Sequence, residues 1–340
     1  MGNKSIKILD CTLRDGGYVN NWNFGRDNIK NIIHGLDAAG IDFIECGFMR
    51  DGQYNPDKSL YEFLRNLISA APENVHYEKL VAMIDYGEFN IDKLPEKSDN
   101  SIFGFRIIFK KNHLTEALDT AQKIQDKGYN IFINPTFINR YTKEEFTDVI
   151  KMVNRINPFA FSIVDSMGVM NENDAREMFK LADGILNKNI TLCFHSHNNL
   201  QLSFPNAMEL IKLKSDRNII IDSSIFGMGR GAGNIKTEFL INYLNEHIKS
   251  RYKILPVLAL IHNIINKIFE QKPWGYSVPY YLAARSFCHP NYASFLIEKN
   301  IPFDIIDKIL KQIPENNKTC FDKKLIEKLF NETVQGALTC

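Results

Sequence analysis

His195 and His197 stand two residues apart in the run Thr191-Leu192-Cys193-Phe194-His195-Ser196-His197. In an extended strand that spacing turns both imidazoles to one face. Two histidines and one carboxylate make a minimal site for a divalent cation. Mixed oxygen and nitrogen ligands with open positions suit Mn²⁺, Mg²⁺ or Co²⁺, and Zn²⁺ accepts the same donors. The nearest candidate for the oxygen ligand is Asp15, in Asp10-Cys11-Thr12-Leu13-Arg14-Asp15-Gly16. A pair of hydrogen-bonded core histidines is the alternative for His-x-His alone. Arg14 is costly to bury unpaired, and Glu45 can neutralise it. Such a pair is either a structural ion pair or, beside a metal, a fixed positive charge that stabilises an enolate oxygen. The loop Gly227-Met228-Gly229-Arg230-Gly231-Ala232-Gly233-Asn234 lacks the lysine of a Walker motif. It reads either as tight backbone geometry or as a phosphate cradle. Asn234 can reach the metal, and Asn198 reads equally as a ligand or as a partner of one.

These residues are far apart in the chain, so the fold must gather them. Eight short runs rich in Ile, Val, Phe or Leu recur between residues 6 and 247: Ile6–Thr12, Asp42–Phe48, Lys79–Ile84, Phe103–Phe109, Asn130–Ile138, Ala160–Val164, Thr191–Phe194 and Asn218–Phe226. Apolar on both faces, they read as buried parallel strands. Helical stretches separate them: Asn28–Ala39, Lys58–Ala70, Leu114–Lys127, Lys143–Asn154, Asn173–Leu186 and Ser203–Lys214, with Gly40, Gly128 and Thr142 as end signals. Strand–helix units in this number predict an α/β fold of the (β/α)₈ TIM-barrel class, with a doubly wound open sheet as the runner-up. A barrel takes ~250 residues. Residues 1–250 are therefore expected to form the catalytic barrel and 251–340 a helical C-terminal extension, with helices at Ile254–Glu270, Leu282–Phe287, Tyr292–Lys299, Phe303–Gln312 and Lys323–Val334. Barrel active sites form at the C-terminal ends of the strands. Arg14, Asp15, Glu45, Asp165, Ser166, His195 and His197 all fall at or near such ends.

Bulk composition narrows the partners. Forty-one Lys and Arg against forty Asp and Glu leave a net charge of +1, without the basic excess by which nucleic-acid binders neutralise phosphate. No apolar run approaches the ~20 residues of a membrane span. The start, Met1 to Ile8, carries no apolar signal core, and the cytoplasm is the expected compartment. None of the cysteines Cys11, Cys46, Cys193, Cys288, Cys320 and Cys340 forms a CxxC pair, and a reduced, buried role is expected over a disulfide framework.

Taken together, Asp10–Gly16, Glu45, His195-Ser196-His197-Asn198 and Gly227–Asn234 resemble the DRE-TIM metallolyases. That superfamily includes 4-hydroxy-2-oxovalerate aldolase, hydroxymethylglutaryl-CoA lyase and the isopropylmalate synthases, and the first of these branches gives the nearest match. The resemblance spans residues 6–247. It implies a barrel holding a divalent metal, Mn²⁺ first among the candidates, through Asp15, His195 and His197, with Asn234 as a further ligand. It implies an Arg14–Glu45 pair and carbon–carbon bond making or breaking through an enolate, from a small 2-oxo acid of the pyruvate type and an aldehyde. Asp165-Ser166-Met167-Gly168 fits the segment near the substrate carboxylate, with Ser166 as the contact. One position departs: the aldolase branch carries a catalytic histidine where this chain has Tyr18. The proton then falls to Tyr18, to a hydroxide on the metal, or to a residue of the extension such as His289 or Tyr276. Trp274, Gly275, Tyr276, Tyr280 and His289 form an aromatic group suited to covering a site mouth, with plain helical packing or homo-oligomer contacts as the alternative reading.

The rival readings are an acyl-CoA lyase or Claisen-type synthase of the same superfamily, and a non-catalytic, metal-stabilised barrel used for binding. A metal hydrolase of the amidohydrolase kind fits poorly, because its His-x-His lies on the first strand.

Overall fold

In the computed structural model residues 4–338 are described, with side chains to residue 334; Cys340 and the first three residues of the start segment lie outside them. The strands are β1 (Ile6–Asp10), β2 (Phe43–Met49), β3 (Leu60–Tyr61), β4 (Leu80–Asp85), β5 (Gly104–Phe109), β6 (Asn130–Pro135), β7 (Ala160–Asp165), β8 (Thr191–Ser196) and β9 (Ile219–Ser223). They pair in the order β1-β9-β8-β7-β6-β5-β4-β2, and β1 returns to β2 through Leu9↔Phe43 and Asp10↔Ile44. All these pairings are parallel, so the sheet closes into an eight-stranded barrel with β3 attached outside the ring to β2.

Strand parity organises the interior. Leu9, Phe43, Val81, Phe132, Ala160, Cys193 and Ile220 pack together inside the barrel, joined by Cys11 and, at the edge, Phe103 and Phe159. Alternate residues of a strand share a face. Two positions further along, the same inward face therefore carries Glu45 after Phe43, Met83 after Val81, Asn134 after Phe132, His195 after Cys193 and Asp222 after Ile220. The outward faces, with residues such as Ile44, Ile107, Ile131 and Ile221, pack against the surrounding helices in a separate, larger core.

The β2–β4 ladder shifts register between Glu45 and Phe48. Gly47 lies there at φ 140°, and a Cβ on it would stand 2.0 Å from the Ser59 carbonyl oxygen. Only glycine lets the segment carrying β3 pass this close.

Two stretches differ from the sequence expectation. The helix expected over Lys58–Ala70 is confined to Leu64–Ala70, because Lys58 bridges to Asn23 and Leu60–Tyr61 pair with β2. Their apolar side chains serve a strand edge rather than a helical stripe. A helix at Thr237–His247, absent from the periodic pattern, completes the last barrel unit. Thr142 caps Lys143–Ile156 as expected: its hydroxyl accepts from Glu145 N at 3.2 Å while Glu145 accepts from Thr142 N at 2.8 Å.

Beyond the barrel the chain is helical: Ile254–Leu260, a π-helical turn at Ile261–Ile265, then Asn266–Gln271, Val278–Arg285, Pro290–Ile297, Phe303–Lys311 and Lys323–Leu338. The first of these pack Val257, Leu260, Ile264 and Ile265 into the barrel's outer core. The remainder close their own core around Leu282, Tyr292, Leu296, Ile306, Ile309, Leu310 and Ile326.

Candidate active site and metal centre

At the end of β1 the backbone turns back, Asp15 N donating to the Cys11 carbonyl at 2.8 Å. Thr12 ties this turn to the last strand–helix loop by accepting from Ile225 N at 2.8 Å. Arg14 and Asp15 are thereby swung over the barrel mouth, toward the inward faces of β2 and β8. There Asp15, His195 and His197, all buried, bring ligand atoms within 4.8 Å of one another. Convergence from β1 and β8 is geometric: the barrel places β9 alone between those two strands.

A buried charge network surrounds the triad. Arg14 donates from Nε to Glu45 Oε2 at 2.8 Å and from Nη1 to Asp15 Oδ1 at 2.6 Å. Arg106, from the middle of β5, donates to the same Glu45 oxygen at 3.0 Å, to Asn134 Oδ1 at 3.1 Å and to Asp222 Oδ2. Burial opposes the charge on Asp15, yet Arg14, His197 and His195 hold its carboxyl far below the usual carboxylate range. Asp222 is likewise held low by Arg106 and His195 against its burial. Burial drives His197 down to about 3, the charge of Asp15 pulling only partly the other way. The triad therefore presents one carboxylate and a neutral imidazole at His197, the protonation states that metal ligation requires.

The donor set fits a divalent cation. Among the described residues His197 Nδ1 and Asn234 Oδ1 are buried without a partner, and His195 Nδ1 lies 3.1 Å from Asp222 Oδ2 but without the alignment of a hydrogen bond. Asn234 Nδ2 donates to Asp15 Oδ2 at 2.8 Å, which leaves its unpartnered oxygen beside the group. Orphaned buried acceptors are uncommon, and His197 Nδ1 and Asn234 Oδ1 lie where a cation would satisfy them, while His195 Nδ1 faces Asp222 and leaves the other ring nitrogen for ligation.

A cavity of about 60 Å³ adjoins these residues, lined among others by Arg14, Tyr18, Arg106, Ser166 and Arg230. A groove of about 890 Å³ beside Phe146, Met178 and Phe287 is larger but contains none of the triad. Chemistry decides between them, because only the small cavity has the buried charges. Ser166 lines it while accepting from Phe137 N at 3.0 Å. The neighbouring Asp165 is pushed up to about 6 by burial and is spent on the loop, accepting from Val169 N and Met170 N at 3.0 Å each. Tyr18 lies under Arg230, whose guanidinium sits 3.7 Å from the ring centroid. His289, from the helical extension, reaches the same place, with Nε2 3.1 Å from Arg230 Nη1.

Other expected residues go elsewhere. Tyr276 is 58% exposed and is not among the residues lining the cavity. Trp274 packs on Phe226 and Phe269 and donates to the Phe226 carbonyl, behind the glycine-rich loop. Tyr280 hydrogen-bonds Ser294 within the extension. Asn198 holds the start of helix Ser203–Lys212, accepting from Ser203 Oγ at 2.7 Å. In the glycine-rich loop a Cβ on Gly229 would stand 2.3 Å from Asn234 Nδ2 and 2.5 Å from Asp15 Oδ2. The loop's glycine there serves close approach to the triad.

Four residues that line the cavity or complete its charge network were not read from the sequence: Arg106, Asn134, Asp222 and Arg230. A signal existed for the first and third. Each is a lone charge inside a run apolar on both faces, Gly104-Phe105-Arg106-Ile107-Ile108-Phe109 and Ile219-Ile220-Ile221-Asp222. A charge buried in this way needs a partner.

Comparison with known proteins accords with this geometry. The sequence profile of the HMGL-like family matches residues 5–260. A 4-hydroxy-2-oxovalerate aldolase from Bacillus cereus is 28% identical over 252 residues, 72% of this chain and 70% of that one. An oxaloacetate decarboxylase from Mycobacterium tuberculosis is 26% identical over 240 residues, 70% of each. Among solved structures, the N-terminal domain of a candidate aldolase from Bacteroides vulgatus superposes with a TM-score of 0.70 at 25% identity, covering 86% of this chain and 96% of that domain. With its closed parallel barrel, its Asp–His–His group and a profile match across three quarters of its length, the chain belongs to the HMGL-like family of the DRE-TIM superfamily.

Proposed function

We propose that this protein is a divalent-metal-dependent aldolase, a carbon–carbon lyase that joins or separates a pyruvate-type 2-oxo acid and an aldehyde. The observation that carries the reading is the Asp15–His195–His197 group beside an arginine locked in place by two carboxylates. Asp15, His195 and His197 would hold the cation, with Asn234 Oδ1 available as a further ligand. When bound, the cation supplies Lewis acidity to the ketone oxygen of the 2-oxo acid. Mn²⁺ is the proposed ion, with Mg²⁺, Co²⁺ and Zn²⁺ as the comparisons to run.

The protein's own groups do the rest. Arg14 spends Nε on Glu45 and Nη1 on Asp15, and its remaining amino group has no hydrogen-bond partner among the described residues. That group is the donor for the enolate oxygen as charge develops on it. Glu45 is a positioning residue, since it acts through Arg14. Ser166 is the donor to the substrate carboxylate. Tyr18 lines the cavity and carries a transferable phenolic proton, so it is the proposed partner of the aldol hydroxyl. His289 is the alternative carrier at the same mouth. The cavity's small volume favours a small acid over an acyl-CoA thioester. The proposed division is a catalytic barrel at 1–250 and an extension at 251–340 that brings His289 to it. Free buried Cys11, Cys46, Cys193 and Cys288 fit a reducing compartment such as the cytoplasm.

Metal-dependent exchange of deuterium into the pyruvate methyl group tests the reading. Exchange should require added metal and vanish in Asp15→Asn and His197→Ala, together with metal content and aldol cleavage. Unchanged metal content and cleavage in both variants would refute the site. Exchange supported by acetyl-CoA instead of pyruvate would favour the thioester enzyme, and a chelator-sensitive melting temperature without any exchange would favour the binding module.

A further inference from the structure

Arg230 has no counter-ion within 4.0 Å among the described residues. It lines the cavity, yet neither Asp15 nor Asp85, the carboxylates that feel its charge, comes within 4.0 Å of its guanidinium. Its Nε is buried and unpartnered. Its Nη1 faces His289 Nε2 at 3.1 Å, a hydrogen bond only in the tautomer that leaves Nε2 without a hydrogen. His289 Nδ1 already accepts from Asn291 N at 3.2 Å, at the start of helix Pro290–Ile297. A neutral imidazole that accepts at Nδ1 carries its hydrogen on Nε2. Two donors thus face each other, and the other tautomer merely moves the mismatch to Asn291. An oxygen placed about 2.9 Å from both nitrogens would resolve it.

Both donors are held for such a ligand. The Arg230 guanidinium lies on the Tyr18 ring at 3.7 Å, and its backbone N donates to Asp15 Oδ2 at 3.3 Å, which anchors it beside the triad. His289 is fixed by capping its own helix. Fixed donors with no acceptor, next to a reaction centre, are what an anion-recognising site presents before its ligand arrives.

We propose that Arg230 and His289 form a subsite for a carboxylate on the acceptor, so that the second substrate is an aldehyde carrying an acid group rather than a neutral aldehyde. This rests on the aldolase reading above and specifies its substrate class. In the joining direction the pyruvate methyl carbon loses a proton and bonds to the aldehyde carbon, while the aldehyde oxygen gains a proton. The product is a 4-hydroxy-2-oxo dicarboxylate. The helical extension, through His289, supplies half of the recognition.

The test uses the full chain loaded with Mn²⁺. Deuterium exchange into pyruvate is measured first, because its absence from the wild type sinks the aldolase reading alone. Succinic semialdehyde is then compared with pentanal, and glyoxylate with propanal. The charged member of each pair should be used at least tenfold better by kcat/KM. Arg230→Gln and His289→Ala should each lower that preference by about ten- to hundredfold, as expected for losing a hydrogen bond to a charged group. Arg230→Lys should restore part of it. Exchange with equal use of charged and neutral aldehydes overturns the proposal, as does an Arg230→Gln variant that loses both alike. Preference for glycolaldehyde phosphate over every carboxylate assigns the subsite to phosphate and also overturns it. If the wild type shows no exchange, calorimetric titration of succinic semialdehyde into metal-free protein decides. At least tenfold weaker binding by Arg230→Gln upholds the subsite, and equal binding refutes it.

Discussion

The two ends of the barrel interior are built from opposite materials. At the N-terminal end of the strands Phe43, Phe103, Phe132 and Phe159 pack in edge-to-face and tilted pairs, with ring centroids 4.9 to 6.2 Å apart, over Leu9, Val81 and Ile220. One pleat further along, the same strands carry Glu45, Arg106, Asn134, His195 and Asp222. The apolar end gains stability from dispersion and burial, which tolerate approximate complementarity. The charged end gains little, since desolvation offsets most of the attraction between buried ions. Its carboxylates and guanidiniums nevertheless hold Arg14 and Asp15 to within one geometry. One end thus supplies the folding free energy that the other spends on a preorganised site.

That contrast can be broken from either side. Arg106→Met should have the largest effect, about 3–5 kcal/mol, because it strands Glu45 and Asp222 in the interior with one cation fewer. Equilibrium denaturation would measure it, and a loss below ~1 kcal/mol would show that the network contributes no more than surface pairs do. Phe132→Ala should cost about as much or slightly less, about 3–5 kcal/mol, by opening a cavity among the aromatic rings. Its metal affinity, read by calorimetry, should stay within a few-fold of wild type; a large loss there would join the two ends that the comparison separates.

Smaller effects sharpen the picture at the mouth. Gly229→Ala should lower metal affinity about ten- to hundredfold with a modest change in melting temperature, since the added methyl group meets Asn234 and Asp15. An unaltered affinity would remove the loop from the site. The smallest effect concerns pH. Burial, helped by Arg230, holds His289 well below its ordinary value, so the unfolded chain takes up a proton below about 6.5 that the folded protein refuses. The neutral ring's contribution is present above that pH and is lost as the pH falls. Asp10 and Asp165, each pushed up to about 6 by burial, run the other way and lose their contribution as pH rises through that value. The stability advantage of metal-free wild type over His289→Gln should therefore shrink from pH 7.5 to pH 5, by up to ~1.4 kcal/mol per unit below 6.5. A difference that stays constant across this range would mean His289 is not held neutral.

Much of the site could be read from residue order. His195 and His197 were legible because a two-residue spacing in an apolar run has one geometric meaning, and Arg14, Asp15 and Glu45 because charge at a strand end needs a reason. Ser166 lines the same cavity. Tyr276 did not follow, because exposure in a helical extension is decided by packing between helices that have no fixed spacing to the barrel. Arg106 and Asp222 escaped notice inside otherwise apolar strands, and their meaning lies in partners from other strands: Arg106 is matched by Glu45 and Asp222, and Asp222 by Arg106 and His195.

The sequence by itself determined the strand–helix alternation, the barrel that eight such units close, and the charged and imidazole side chains at its mouth. These depend on local periodicity and on the short reach of neighbouring residues. Only the tertiary structure decided that Arg230 of the last barrel loop lies over the ring of Tyr18 of the first and faces His289 of the extension. Those three residues are separated by more than two hundred positions from first to last. No local preference links them. Closure of the barrel and docking of the extension bring them into contact, and the charge left unmatched there can be seen only after both have happened.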